Sequence, residues 1–248
     1  MKSSKQSLQK RGFIEENDVL DFNHLSNSDL LNLLNSTHSY ERTIAVRLLF
    51  QRKQYYDLEI TKLLLVKLSN EKSLYTKLEI CKLLEHGNLA TAKLMTSYLG
   101  IIGNNQYTCL PENVSRKKSY PLPRDIIARS LARMSFEVIT TLEDVLLSNN
   151  EPKISEAVDA LGFMLFYNQD KLNISYYNLV LSTMQKYHYN DLIYWKCITC
   201  LSAFNSVKNI ALLKRVLVSD KPKLIREEAS RSLKILQQRK KSSSIINY

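Results

Sequence analysis

The residues best suited to chemistry in this chain are two cysteines three apart, four scattered histidines and one tryptophan close to a carboxylate. Cys197-Ile-Thr-Cys200 has the C-x-x-C spacing of a redox pair or of half a zinc site. A zinc site needs a second pair of ligands, and no other C-x-x-C or H-x-x-x-H occurs. The two cysteines fall inside an apolar helical pattern, so they are expected to act as small buried hydrophobes. His24, His38, His86 and His188 stand alone, without a G-x-S-x-G or H-E-x-x-H motif. With 5 glycines in the whole chain, there is no Walker loop. Asp191, Tyr194 and Trp195 could stack on a base and hold a cation, although packing between helices explains them more simply. These residues lead us to expect no catalytic group, no cofactor, no metal and no small-molecule substrate.

The elements that must position any binding residues are helices. The chain has 248 residues, 44% of them hydrophobic and 24% charged, which is ordinary globular usage. Only 5 Gly and 5 Pro are present, too few for the closely spaced turns of a β-sandwich or barrel. Leucines spaced by three and four recur, as in LLNLLNS at 31–37, ITKLLLVKLSN at 60–70 and ITTLEDVLLSNN at 139–150. Each such amphipathic segment is followed by a polar break and a second helix.

Six of the second helices can be superimposed. With Arg42, Lys77, Arg124, Ile154, Tyr194 and Arg226 as position zero, position three holds Ala45, Ile80, Ile127, Ala157, Cys197 and Ala229. Position seven holds Leu49, Leu84, Leu131, Leu161, Leu201 and Leu233. At about 100° per residue these two positions share one helix face, so each copy offers the same stripe for burial. The copies are offset by 35, 47, 30, 40 and 32 residues, a period that points to an all-α solenoid.

A basic residue followed at three by a small or apolar residue and at seven by leucine resembles HEAT repeats, most closely the short bacterial variety related to phycobilisome-lyase repeats. The resemblance covers roughly residues 23 to 236, and copies four and five depart from it by placing Ile154 and Tyr194 at position zero. It implies a right-handed α-solenoid of about six helical hairpins, with first helices convex and second helices on a concave binding face. It also implies that position-zero residues tie neighbouring repeats together. The HEAT-like alkylpurine DNA glycosylases share this architecture, and by that likeness Trp195 and Asp191 could hold a damaged base.

Position five lies opposite the buried stripe and is expected to be exposed. It carries Arg47, Lys82, Arg129, Asp159, Thr199 and Arg231. Arg47, Lys82, Arg129 and Arg231, with Arg133 nearby, would form a ladder of cations able to follow an acidic peptide or a phosphate backbone. The third copy also carries an insertion at 101–123, with three prolines and the run Arg116, Lys117, Lys118 between Tyr107 and Tyr120. Long insertions in a solenoid map to loops that the stacked core does not need.

The net charge is +11, and residues 201–248 hold eleven basic against three acidic side chains. Such a surplus favours acidic partners but leaves the fold open. No apolar stretch suits a secretory signal or a membrane span, and four cysteines suit a reducing compartment, so a cytoplasmic protein is expected. The expected organisation is an N-terminal arm or capping helix at 1–22, a repeat domain at 23–236 and a basic flexible tail at 237–248. The expected function is a noncatalytic scaffold holding another macromolecule, a protein in the first instance and nucleic acid as the alternative.

Overall fold

Side-chain caps begin the leucine-rich helices that start at Asn27 and Leu58. In the computed structural model, which describes residues 4–245 and side chains as far as 239, every regular element is helical. The chain separates into two compact units, Met1–Ile102 and Gly103–Tyr248. From Gly103 onward the insertion belongs to the second unit, where its Tyr107 and Tyr120 side chains pack against Trp195, Phe163 and Phe166.

The first unit contains α1 (Lys5–Gln9), α2 (Asn27–Leu33), α3 (Ser39–Gln51), α4 (Leu58–Asn70), α5 (Leu74–Glu85) and α6 (Leu89–Thr96). Ser26 and Asp29 form a reciprocal capping box at the start of α2, and Asp57 accepts from Glu59 N and Ile60 N to start α4. The second helices α3 and α5 pack together, burying Ala45, Leu49, Ile80 and Leu84 as the repeat register predicts. Thr43 Oγ1 and Thr76 Oγ1 lie 2.8 Å apart between these helices. Arg42 at position zero forks onto Glu71, with Nε 2.8 Å from Oε2 and Nη2 2.7 Å from Oε1. The N-terminal segment lies against the same pair, where Gly12 turns at φ 84° and a Cβ would meet Thr76 Oγ1 at 2.6 Å. Only glycine combines that backbone with so close an approach.

The second unit contains α7 (Ile126–Leu131), α8 (Ile139–Leu147), α9 (Glu151–Tyr167), α10 (Ile174–Lys186), α11 (Asp191–Cys200), α12 (Val207–Leu217) and α13 (Lys223–Ile245). The helices form two rows. α7, α9, α11 and α13 pack successively in one, while α8 and α10 pack together in the other and α12 packs on α13. Ile127, Ala157, Cys197 and Ala229 are fully buried, and Leu131, Leu161, Leu201 and Leu233 are buried beside them. Burial raises the thiol pKa values of Cys197 and Cys200, as befits core positions within α11.

The tail expected from 237 instead continues α13 as far as Ile245, and residues 246–248 lie outside the described part. The extension is held at its root. Ile235 and Leu236 are buried, and Arg239 lies 4.1 Å from the centroid of the Phe166 ring with Nη2 2.9 Å from Phe166 O. No helix among the described residues is long and apolar enough to cross a membrane.

Candidate functional site

The second unit's position-five residues share one face, as their spacing requires, but the insertion runs across it. Arg231 is buried instead of exposed. Its Nη1 donates to Glu228 Oε1 at 2.6 Å, and its Nη2 donates to Lys117 O at 3.1 Å and Ser119 O at 2.7 Å. Tyr120 then inserts beside Phe163 and Phe166 and is buried above Gly162. Its hydroxyl finds no hydrogen-bond partner among the described residues, and burial raises its pKa well above the ordinary tyrosine value. A buried unpaired hydroxyl costs about 1–3 kcal/mol. Tyr120→Phe is therefore expected to raise the unfolding midpoint in denaturant, and a lower midpoint would show that the hydroxyl is satisfied in solution.

Between the insertion and the helices lies a cleft of about 390 Å3. Arg129 from α7, Asp159 from α9, Trp195 and Thr199 from α11 and Glu228 from α13 form its helical wall, and Asn105, Tyr107, Asn113, Ser115 and Lys117 are among the residues on the insertion side. Tyr107 meets Trp195 edge-on with centroids 5.5 Å apart, while Arg124 lies 4.4 Å from the Tyr107 ring centroid. Arg124 Nε donates to Asn105 O at 2.6 Å, and Arg129 Nε donates to Pro123 O at 2.9 Å. Trp195 is almost wholly buried, and its indole N–H is directed to the Glu228 carboxylate.

Under the cleft is a buried charge cluster that the repeat register did not reveal. Lys196 is completely enclosed, with Nζ 2.8 Å from Glu156 Oε1 and 2.9 Å from Asp159 Oδ2. Burial pulls the ammonium pKa down, but the two carboxylates outweigh that effect and hold it above its ordinary value. Burial raises Glu156 to about 7 despite the attraction of Lys196, with Asp159 repulsion adding to the rise. Because the folded carboxyl binds its proton more tightly than the unfolded one, stability should fall as pH rises from about 4.5 through 7. Glu156→Gln removes that titration while leaving Asp159 on Lys196. Its stability profile should be flatter across this window in denaturant melts at several pH values. An unchanged slope would place the titration elsewhere.

The other expected binding residues divide by environment. Arg47 is engaged by Glu79 through both Nε and Nη2, the latter 2.7 Å from Oε2. Lys82 is exposed, with Nζ 5.0 Å from the Phe50 ring centroid. Arg116, Lys117, Lys118 and Arg133 are exposed. The position-five row is thus not a uniform cation ladder, because Arg47 and Arg231 have carboxylate partners and Thr199 is buried. Arg124, expected as a position-zero tie, instead borders the cleft. Asp191 and Tyr194 stand apart from Trp195's surroundings: Lys221 lies 3.6 Å from Asp191 Oδ1 and 4.3 Å from the Tyr194 ring centroid, and neither residue lines the cleft.

No family model and no curated protein matches this sequence. Among solved structures, an engineered protein is similar at 17% identity over 86% of this chain and 96% of its own, with a TM-score of 0.37. A second engineered protein has 15% identity over 86% and 99%, with a TM-score of 0.36. A designed armadillo repeat protein has 16% identity over 85% and 100%, also with a TM-score of 0.36. Scores this low carry no argument about function.

Proposed function

We propose that the chain is a noncatalytic, HEAT-like helical-repeat scaffold that holds a protein partner on the row of second helices in its 103–248 unit. The reading rests on charge around the cleft. Among the described residues Arg124, Arg129 and Lys117 border it without a carboxylate partner, whereas Arg42, Arg47 and Arg231 each have one and Lys196 has two. A charge left uncompensated beside a formed concavity is available to a ligand. A nucleic-acid ligand would gain from free aromatic faces, but Arg124 covers Tyr107 and Trp195 is buried.

Asn113 is exposed and lines the cleft, so Asn113→Trp should obstruct it without disturbing the core. The immobilised chain should retain a protein from native lysate, and Asn113→Trp should release it. Retention unchanged by that substitution would refute the reading. Binding to a generic duplex that falls steeply with salt and survives the substitution would favour the nucleic-acid alternative.

A further inference from the structure

We infer that the cleft accepts an acidic side chain, the carboxylate of an Asp or Glu in an extended segment of the partner protein. This rests on the scaffold reading and gives the partner its chemistry. Of the two carboxylates lining the cleft, Glu228 pairs with Arg231 at 2.6 Å, while Asp159 shares Lys196 with Glu156, at 2.9 and 2.8 Å. Arg124, Arg129 and Lys117 at the cleft outnumber the one negative charge that this leaves, so the balance is positive.

Two rim guanidiniums are held by backbone carbonyls through Nε, Arg124 by Asn105 and Arg129 by Pro123. That anchoring limits the motion of each fork and leaves its Nη groups to meet a carboxylate, the geometry in which arginine binds most strongly. A volume of about 390 Å3 suits a side chain with its adjoining backbone. A stacked base would need a ring face, and Tyr107 is already taken between Arg124 and Trp195.

The test uses the full chain and fluorescein-labelled hexaglutamate at about 0.15 M salt, with a single-stranded hexathymidylate as the competing chemistry. Hexaglutamate should bind saturably, and Arg124→Gln and Arg129→Gln should each weaken it about tenfold, the effect of losing one charge-assisted hydrogen bond. Arg116→Gln and Lys118→Gln make the same charge change on exposed residues that do not line the cleft, and should weaken it less. No saturable binding, equal loss from both pairs, or tighter binding of hexathymidylate would overturn the inference. If Arg129→Gln lowers the melting temperature, the exposed Arg124 decides the matter alone. A protein partner lost on Asn113→Trp but kept by Arg124→Gln would leave the scaffold reading standing and remove this one.

Discussion

Lys196→Met is expected to destabilise the second unit by about 3–5 kcal/mol, the usual cost of removing one member of a buried ion pair. The residue has no exposed surface, and its ammonium is the cation held between Glu156 and Asp159. Without it, two carboxylates face each other beneath the cleft, and one must take up a proton or draw in water. The cost should therefore shrink at low pH, where both carboxyls are neutral. Combining Lys196→Met with Glu156→Gln and Asp159→Asn should recover much of the loss, because a neutral cluster of similar volume lacks the uncompensated charge. Denaturant melts of the single and triple variants provide the comparison. A triple variant no more stable than Lys196→Met would show that Lys196 acts mainly through packing.

The second large effect is expected at Gly162, in the middle of α9. A Cβ there would lie 2.0 Å from Tyr120 Oη and 2.5 Å from Tyr120 Cζ, atoms of a rigid ring that is itself buried. Gly162→Ala should cost about 1–3 kcal/mol by overpacking, although alanine is the better helix former by about 1 kcal/mol. The strain should appear in the insertion, because α9 is held by its neighbours while residues 103–122 have no regular structure. Hydrogen exchange should accelerate around Tyr120 more than within α9. Tyr120→Leu should be less harmful in the Gly162→Ala background than in the wild type, since it also removes the clash. Additive effects would mean that the ring and the glycine are not in contact.

The buried stripe was legible because it is a local property. Positions three and seven lie on one face of any α-helix, and a small residue followed by leucine at that spacing has little else to do but pack. All twelve of these side chains are buried. The position-five residues were likewise placed on a common face in the second unit, where Arg129, Asp159 and Thr199 line one cleft. The burial of Thr199 and Arg231 was not legible, because exposure depends on what covers that face. Lys196 left a trace, a single lysine within the apolar run IYWKCITC, which calls for a buried carboxylate. Its partner Glu156 stands 40 residues away, beyond the reach of helical periodicity. The insertion was marked by its prolines, lysines and tyrosines, yet nothing in their order set Tyr120 inside the core and Arg116 in water.

Helical class, repeat length and the identity of the packing face follow from the order of residues, because each depends on contacts within a turn or two of helix. The covered face, the cleft and the pairing of its charges come from the chain folding back on itself, as when Arg231 meets Ser119 across a separation of 112 residues. Such contacts depend on how whole hairpins stack and where a long connection can lie. Tertiary packing therefore determines which arginines are neutralised within the protein and which, among the described residues, have no carboxylate beside them.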